Sequence, residues 1–281
     1  MGQMTTFQAG GNAEAVCFPG EVEALRQIIS YLGKEGIAWT VAGKGSNLLI
    51  ADGGIRGAVI ILKDRLASVE KAGDEETLIL AGGGLTIAGL LSYCSMHALS
   101  GLEFLAGIPG TLGGAVFMNA GAFGLETGEL VEEILIIRGD GEPVVINRHD
   151  LNFSYRSSSV PGGAVIYGAR LKLMTGEKDR ISAMIAHYLK RKKETQPLDY
   201  PSGGSVFKNP PGDYAGRLIE KAGLKGERIG GAMISSKHGN FIVNTGGARA
   251  GDILALINLA RERVKAETGI DLETEIVILG D

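Results

Sequence analysis

Cysteine is scarce. The 281 residues include two, Cys17 and Cys94. They lie far apart, form no CxxC pair and give no disulfide framework, so a reducing compartment, the cytoplasm, is expected. The four histidines, His97, His149, His187 and His238, are scattered without metal-ligand spacing, and no metal site is expected. No apolar run is long enough to span a bilayer, so membrane insertion is not expected. No basic segment followed by an apolar one marks a secretory signal at the N-terminus. Gly2 with Thr6 fits the loose myristoylation pattern and reads as a chance match. Positive charge is not in excess either. The formal net charge is -4, which argues against a general nucleic-acid binder. The one basic run, Lys190, Arg191, Lys192 and Lys193, closes a helix-like stretch and reads as a solvated helix terminus, where cations suit the negative helix end.

Glycine, by contrast, is abundant, at 44 residues. It follows no collagen-like period and forms no Gly/Ser tract, so disorder explains it poorly. Tight turns and close approach of backbone to a ligand explain it better. The length allows two or three compact lobes, and there is no internal repeat.

Apolar spacing predicts a helix over 21–35, with Gly33 or Gly36 ending it. Residues 37–42 read as a strand that runs into Gly43-Lys44-Gly45-Ser46-Asn47. Strands follow at 48–51 and 58–62, split by the turn Asp52-Gly53-Gly54. A hairpin is expected over 68–81 and a helix over 86–99. The segment 101–124 is apolar, yet too rich in glycine for a continuous helix or strand. It reads either as a buried chain turning around a flat ligand or as a tightly packed loop core. Strands are expected within 131–173, with Gly139-Asp140-Gly141 as a hairpin turn. Helices are expected over 179–194, 213–222 and 252–267, the last stopped by Gly269. A boundary is expected at Gln196-Pro197, and a final strand at 275–279.

The first glycine loop leads from strand to strand. A dinucleotide fingerprint would lead from strand to helix. A P-loop would need glycine at position 38, which is Ala38. The loop is therefore another kind of phosphate cradle or a plain turn. Successive backbone N–H groups in a tight turn can form a concave anion site, and Ser46 and Asn47 add hydrogen-bonding groups. With the 101–124 segment, one loop could hold a diphosphate while the other packs beside a flavin ring. Neither contains histidine, so a bound flavin is expected to be noncovalent.

Thr5-Thr6-Phe7 with Gly10-Gly11, Ala42 through Leu49, the 101–124 loop, Tyr155-Arg156-Ser157-Ser158, Gly203 through Pro210 and Leu272 through Ile276 together span nearly the whole chain. In this combination the chain resembles the UDP-N-acetylenolpyruvoylglucosamine reductase family, in the shorter of its two subgroups. The resemblance implies an α+β fold, with two FAD-binding subdomains of the vanillyl-alcohol-oxidase type and a C-terminal α/β substrate-binding domain. The corresponding divisions are 1–66, 67–195 and 196–281, with the final strand, 272–281, placed to pack back on the FAD-binding part. It also implies noncovalent FAD, NADPH as reductant and UDP-N-acetylglucosamine enolpyruvate as substrate, in a monomer or weak oligomer. The product is UDP-N-acetylmuramate, a peptidoglycan precursor. Cofactor contacts carry over to Ala42, Gly43, Lys44, Gly45, Ser46, Asn47 and Leu48, and to Gly107, Pro109, Gly110, Gly113, Gly114, Asn119 and Gly121. The shorter subgroup lacks the loop that carries a tyrosine over the substrate, so the uridine contacts do not carry over.

The reaction implied by the resemblance passes hydride from flavin N5 to the terminal vinyl carbon, after which a proton reaches the adjacent carbon. The flavin must be positioned, the developing charge stabilised and the proton supplied. Arg156 matches the electrostatic partner; a guanidinium stays protonated and grips a carboxylate through two hydrogen bonds. Ser205 matches the proton donor, a weak acid that needs the strongly basic acceptor a nascent carbanion provides. Glu275 matches the family carboxylate. It could share the substrate's carboxyl region if protonated, the form favoured beside an anionic substrate, or orient Arg156 and water. Glu273 lies on the same face of an extended strand, and only the resemblance selects Glu275. Lys208 and Asn209 match the diphosphate side of the substrate, and Tyr155 and His238 belong near the same pocket. Two alternatives stand beside this reading. One is another FAD oxidoreductase of the same fold, which need not combine Arg156, Ser205 and Glu275. The other is a noncatalytic nucleotide-sugar binder.

Overall fold

The computed structural model describes residues 1–281. Spacing of apolar residues fixes its first helix: Leu25, Ile29 and Leu32 fall on one face of α1 (Val22–Lys34) and are buried. Gly36, at φ 64, closes α1, and the Ile37 amide returns to the Leu32 carbonyl. The chain forms two units, described in turn below. One comprises Ala15–Gly43 and Gly57–Arg191; the other comprises Met1–Glu14, Lys44–Arg56 and Lys192–Asp281.

In the first unit, Trp39–Val41 runs parallel to the strand Ile55–Ile60, with Trp39 opposite Ala58. α1 packs with this pair over a small core of Leu25, Ile29, Ile60 and Val165. A five-stranded antiparallel sheet follows, in the order Pro143–Asn147, Val131–Ile137, Val165–Lys172, Leu78–Gly82 and Val69–Lys71. One of its faces carries the larger core, in which Ile79, Ile134 and Leu171 meet Leu90, Phe104 and Val116. Each fully buried aliphatic or aromatic side chain contributes about 1.5–3 kcal/mol. Cys94 lies in this core, and burial, then the charge of Glu103, pushes its thiol up to about 12.

Helix α2 (Ile87–Met96) begins at Thr86, whose hydroxyl accepts the Gly89 amide, a side-chain N-cap. It ends before residue 99. Ala98 takes φ 55, and Leu99–Ser100 leaves to pair with Met174–Thr175. The glycine-rich 101–124 segment holds more regular structure than its composition indicates: a short helix, α3 (Leu112–Phe117), and a tight hairpin of Gly121–Ala122 with Leu125–Glu126. Phe123 and Gly124 both have positive φ in that turn, as a two-residue hairpin of this hand requires. Helix α4 (Lys178–Thr195) carries Asp179 in its first turn and the basic run in its last turns. Lys190, Arg191 and Lys193 are exposed, but Lys192 is 8% exposed, so the run is not uniformly solvated. The Arg191 guanidinium lies over the Phe123 ring, 5.2 Å from its centroid.

In the second unit, Leu48–Ile50 runs parallel to Val277–Leu279. Arg228–Ile229, Ala232–Ile234 and Ile242–Asn244 form a three-stranded antiparallel sheet. Two helices, α5 (Ala215–Lys221) and α6 (Ala250–Thr268), share with it a core that includes Phe7, Val206, Leu218, Ile234 and Leu256. α6 starts two residues earlier than its apolar period suggests. The Asp52 carboxylate accepts the Ala250 and Gly251 amides at 2.9 and 3.0 Å, capping the helix from a distant turn. Gly269, at φ 73, ends α6.

Candidate active site

The first glycine loop and the C-terminal segments meet in the second unit. The loop leaves Lys44 exposed and Gly45 buried, and no backbone N–H from Lys44 to Asn47 donates to a backbone carbonyl. Gly45 takes φ 63, and a Cβ there would lie 2.8 Å from the Thr5 Cα, so only glycine fits. Thr5 and Thr6 run beneath it, and the Thr6 amide donates to the Gly45 carbonyl. The Thr6 hydroxyl is buried without a protein partner. Uncommitted amides on the loop and an orphaned hydroxyl on the segment bonded to it are what a bound diphosphate-containing cofactor would satisfy.

Asn47 ties this loop to the chain end. Its side-chain amide donates to the Glu275 carbonyl at 3.0 Å, and its own carbonyl accepts the Val277 amide. The Glu275 amide in turn donates to the Val206 carbonyl at 2.8 Å. Asn47, Glu275 and the peptide next to Ser205 are thus brought together, the first pair by the Asn47 side chain and the second by a backbone hydrogen bond. Leu48 follows as the first residue of the parallel pair. Ser205 is half-buried, on a stretch held by isolated bridges of Ser202 to Val243 and Phe207 to Thr274. Gly203 lies against Phe7, and a Cβ there would stand 2.7 Å from the ring's Cζ.

The two carboxylates that shared an expected face differ in environment. Glu273 is exposed and pairs with Lys208, Nζ to Oε1 at 2.6 Å. Glu275 is half-buried. Asn209 accepts the Ala215 amide at 3.1 Å, at the start of α5. His238 packs edge-on to Phe241, and its Nδ1 accepts the Asn240 amide at 3.2 Å. Burial, then the Lys225 ammonium, holds its imidazole below the ordinary value.

The other expected residues belong to the first unit. Ala42 is buried, and its amide donates to Ile60. Gly43 abuts Thr111, with no room for a Cβ between them. Gly107, Pro109 and Gly114 are exposed and Gly110 is half-buried, leaving backbone open to a ligand. Gly113 donates to the Gly83 carbonyl, and a Cβ would crowd that carbonyl at 3.0 Å, so Gly113 serves close packing of the loop on the sheet. Gly121 accepts from Arg156 Nη2 at 3.0 Å. Asn119 is fully buried at φ 43. Its amide donates to Glu126 and to the Ser154 carbonyl, and its oxygen accepts the Gly128 amide. It shapes the loop and has little left to offer a ligand.

Arg156 follows Tyr155 in the two-residue turn between Phe153–Ser154 and Ser157–Ser158. It takes φ 55, a left-handed conformation that glycine adopts far more cheaply. A guanidinium held in that conformation, lying 5.0 Å from the Tyr155 ring, points to a side chain needed where it stands. Ser205 and Glu275 share one unit, and Arg156 is carried by the other. Asn240 was not singled out by sequence, although it lies two residues beyond His238. Its role depends on hydrogen bonds to residues more than thirty positions away.

The fold and the glycine loops define the class, an FAD-binding α+β protein. The profile of the FAD-binding domain family matches residues 13–147, and that of the UDP-N-acetylenolpyruvoylglucosamine reductase C-terminal domain matches 196–279. UDP-N-acetylenolpyruvoylglucosamine reductase from Bacillus velezensis is 44% identical over 98% of this chain and 91% of its own length. The protein of that name from Geobacter metallireducens is 43% identical over 100% and 92%. The crystal structure of the reductase (MurB) from Thermus caldophilus superposes with a TM-score of 0.84 at 38% identity, covering 99% of this chain and 97% of the other. The chain belongs to the UDP-N-acetylenolpyruvoylglucosamine reductase family. No helix is long and apolar enough to cross a membrane.

Proposed function

We propose that the protein uses NADPH to reduce UDP-N-acetylglucosamine enolpyruvate to UDP-N-acetylmuramate, in the cytoplasm, as a step toward peptidoglycan. The observation that carries the reading is the hydrogen-bonded junction of Asn47, Glu275 and Val206, which sets the loop that would hold the cofactor beside Ser205 and Glu275. The open amides of Lys44 to Asn47 and the Thr6 hydroxyl would hold the FAD diphosphate, and the exposed glycines of the 107–114 loop would face its ring system. Bound FAD would supply the hydride that adds to the terminal vinyl carbon as the C=C π bond opens.

The electron pair of that bond shifts to the adjacent carbon and into the substrate carboxylate. Arg156 would stabilise this charge by a bidentate grip. Ser205 would then donate its hydroxyl proton to the carbanionic carbon and recover a proton from water. Glu275 would share the carboxylate region if protonated, or orient Arg156 and water. Lys208 would exchange its exposed partner Glu273 for the substrate diphosphate, a cheap exchange because exposed ion pairs are worth only about 0–1 kcal/mol. Asn209, Tyr155 and His238 would line the sugar-nucleotide side. The division into segments 1–66, 67–195 and 196–281 and a monomeric or weakly associating state are part of the same proposal.

The test is Ser205→Ala. Flavin reduction by NADPH should persist, while reoxidation by the sugar nucleotide slows by orders of magnitude. Equal loss in both half-reactions would remove Ser205 as proton donor.

A further inference from the structure

Ser205 sits on a stretch with little regular structure of its own. One side of the stretch is held by the chain end: the Lys208 amide donates to the Glu273 carbonyl, and the Glu275 amide donates to the Val206 carbonyl. The other side is held by Asn240. Its backbone carbonyl accepts the Val206 amide at 2.9 Å. Its side-chain oxygen accepts the Phe207 amide at 2.9 Å, and its side-chain nitrogen donates to the Phe207 carbonyl at 2.8 Å. The residue is 4% exposed, so water does not compete for these groups. An amide that uses both its ends on one residue's backbone replaces the missing neighbouring strand. Asn240 is itself anchored, because its own N–H donates to Nδ1 of His238.

We propose that Asn240 is a positioning residue for Ser205. It fixes the Val206–Phe207 backbone and so sets where the Ser205 hydroxyl stands relative to Glu275, whose amide bonds to the same Val206. This rests on the proposed role of Ser205 as proton donor. Asn240 touches no reacting atom, and it controls proton delivery through the backbone it holds. A displacement of about 1 Å at a reacting group can cost about 100-fold in rate.

The test uses the FAD-loaded full chain with Asn240→Ser, which loses the two-ended clamp. A second variant, Asn240→Asp, fills the same volume, keeps the acceptor for the Phe207 amide and sets a carboxylate oxygen against the Phe207 carbonyl. It serves if the serine variant does not fold. Rapid mixing should show flavin reduction by NADPH within about 2-fold of wild type and reoxidation by the sugar nucleotide slowed about 10- to 100-fold. The solvent deuterium isotope effect on reoxidation should rise. In a Ser205→Ala background the same change should slow reoxidation no further, because both act on one step. Wild-type reoxidation, equal slowing of both half-reactions, or losses that multiply in the double variant would overturn the proposal. Wild-type enzyme that the sugar nucleotide fails to reoxidise would overturn the proposed function itself, and that control is read before any variant.

Discussion

Replacing Arg156 with glycine should separate stability from activity. The residue occupies a left-handed turn position at φ 55, where a side chain costs about 1–2 kcal/mol relative to glycine. Glycine relieves that strain but raises the entropy of the unfolded chain, at a cost of about 0.4–1 kcal/mol. Loss of the charged hydrogen bond to the Gly121 carbonyl costs about 1.5 kcal/mol, the low end for a half-buried donor. Loss of the contact with the Tyr155 ring costs about 0.5–1 kcal/mol. The balance is a destabilisation of about 1.5 kcal/mol, a fall of about 3–6 °C in Tm for a chain of this size. Loss of a preorganised charge on the substrate carboxylate costs about 100- to 1,000-fold in the chemical step. The assay pairs thermal unfolding with rapid-mixing measurements of both half-reactions. A variant that melts within a few degrees of wild type, is reduced normally by NADPH and is reoxidised that much more slowly would match the reasoning. Reoxidation within about 3-fold of wild type would refute an electrostatic role for Arg156.

Gly203→Ala should destabilise the protein by about 1–3 kcal/mol, because the new methyl meets the Phe7 ring with no space to move into. An unchanged urea midpoint would show that the Phe7 contact yields. The imidazole of His238 is held low by burial and Lys225, with Glu220 opposing, so folding favours its neutral ring. Its contribution to stability is complete above the unfolded value of about 6.5 and is lost as pH falls through the lower folded value. His238→Gln, which cannot titrate, should therefore flatten the fall in urea midpoint below about pH 6.5. A wild-type slope in that variant would assign the titration to another group.

Much of the fold was legible because it follows local rules. Leu25, Ile29 and Leu32 announced α1, Gly139-Asp140-Gly141 announced a hairpin, and Gly269 announced the end of α6. What escaped the sequence depends on distant partners. The cap of α6 is Asp52, nearly two hundred residues away. The glycine-rich loop conceals α3 because Gly113 must approach the Gly83 carbonyl, a packing demand that outweighs the poor helix propensity of glycine. The candidate site divides in the same way. Arg156, Ser205 and Glu275 were selected by resemblance of motifs, and the structure adds that Glu273, unlike Glu275, is exposed and pairs with Lys208. Asn119 matched a motif, yet its buried side chain serves the loop. Asn240 carried no sequence signal, because its partners are Val206 and Phe207 across a turn of chain.

In the proposed function one protein passes electrons from NADPH through FAD to an enolpyruvyl sugar nucleotide. An anaerobic visible spectrum of the FAD-loaded protein tests it most directly, taken alone, after one equivalent of NADPH, and after UDP-N-acetylglucosamine enolpyruvate. The expected result is a flavin spectrum that bleaches with NADPH and returns with the sugar nucleotide. Bleaching that the sugar nucleotide does not reverse, or a protein that retains no FAD on reconstitution, would contradict it.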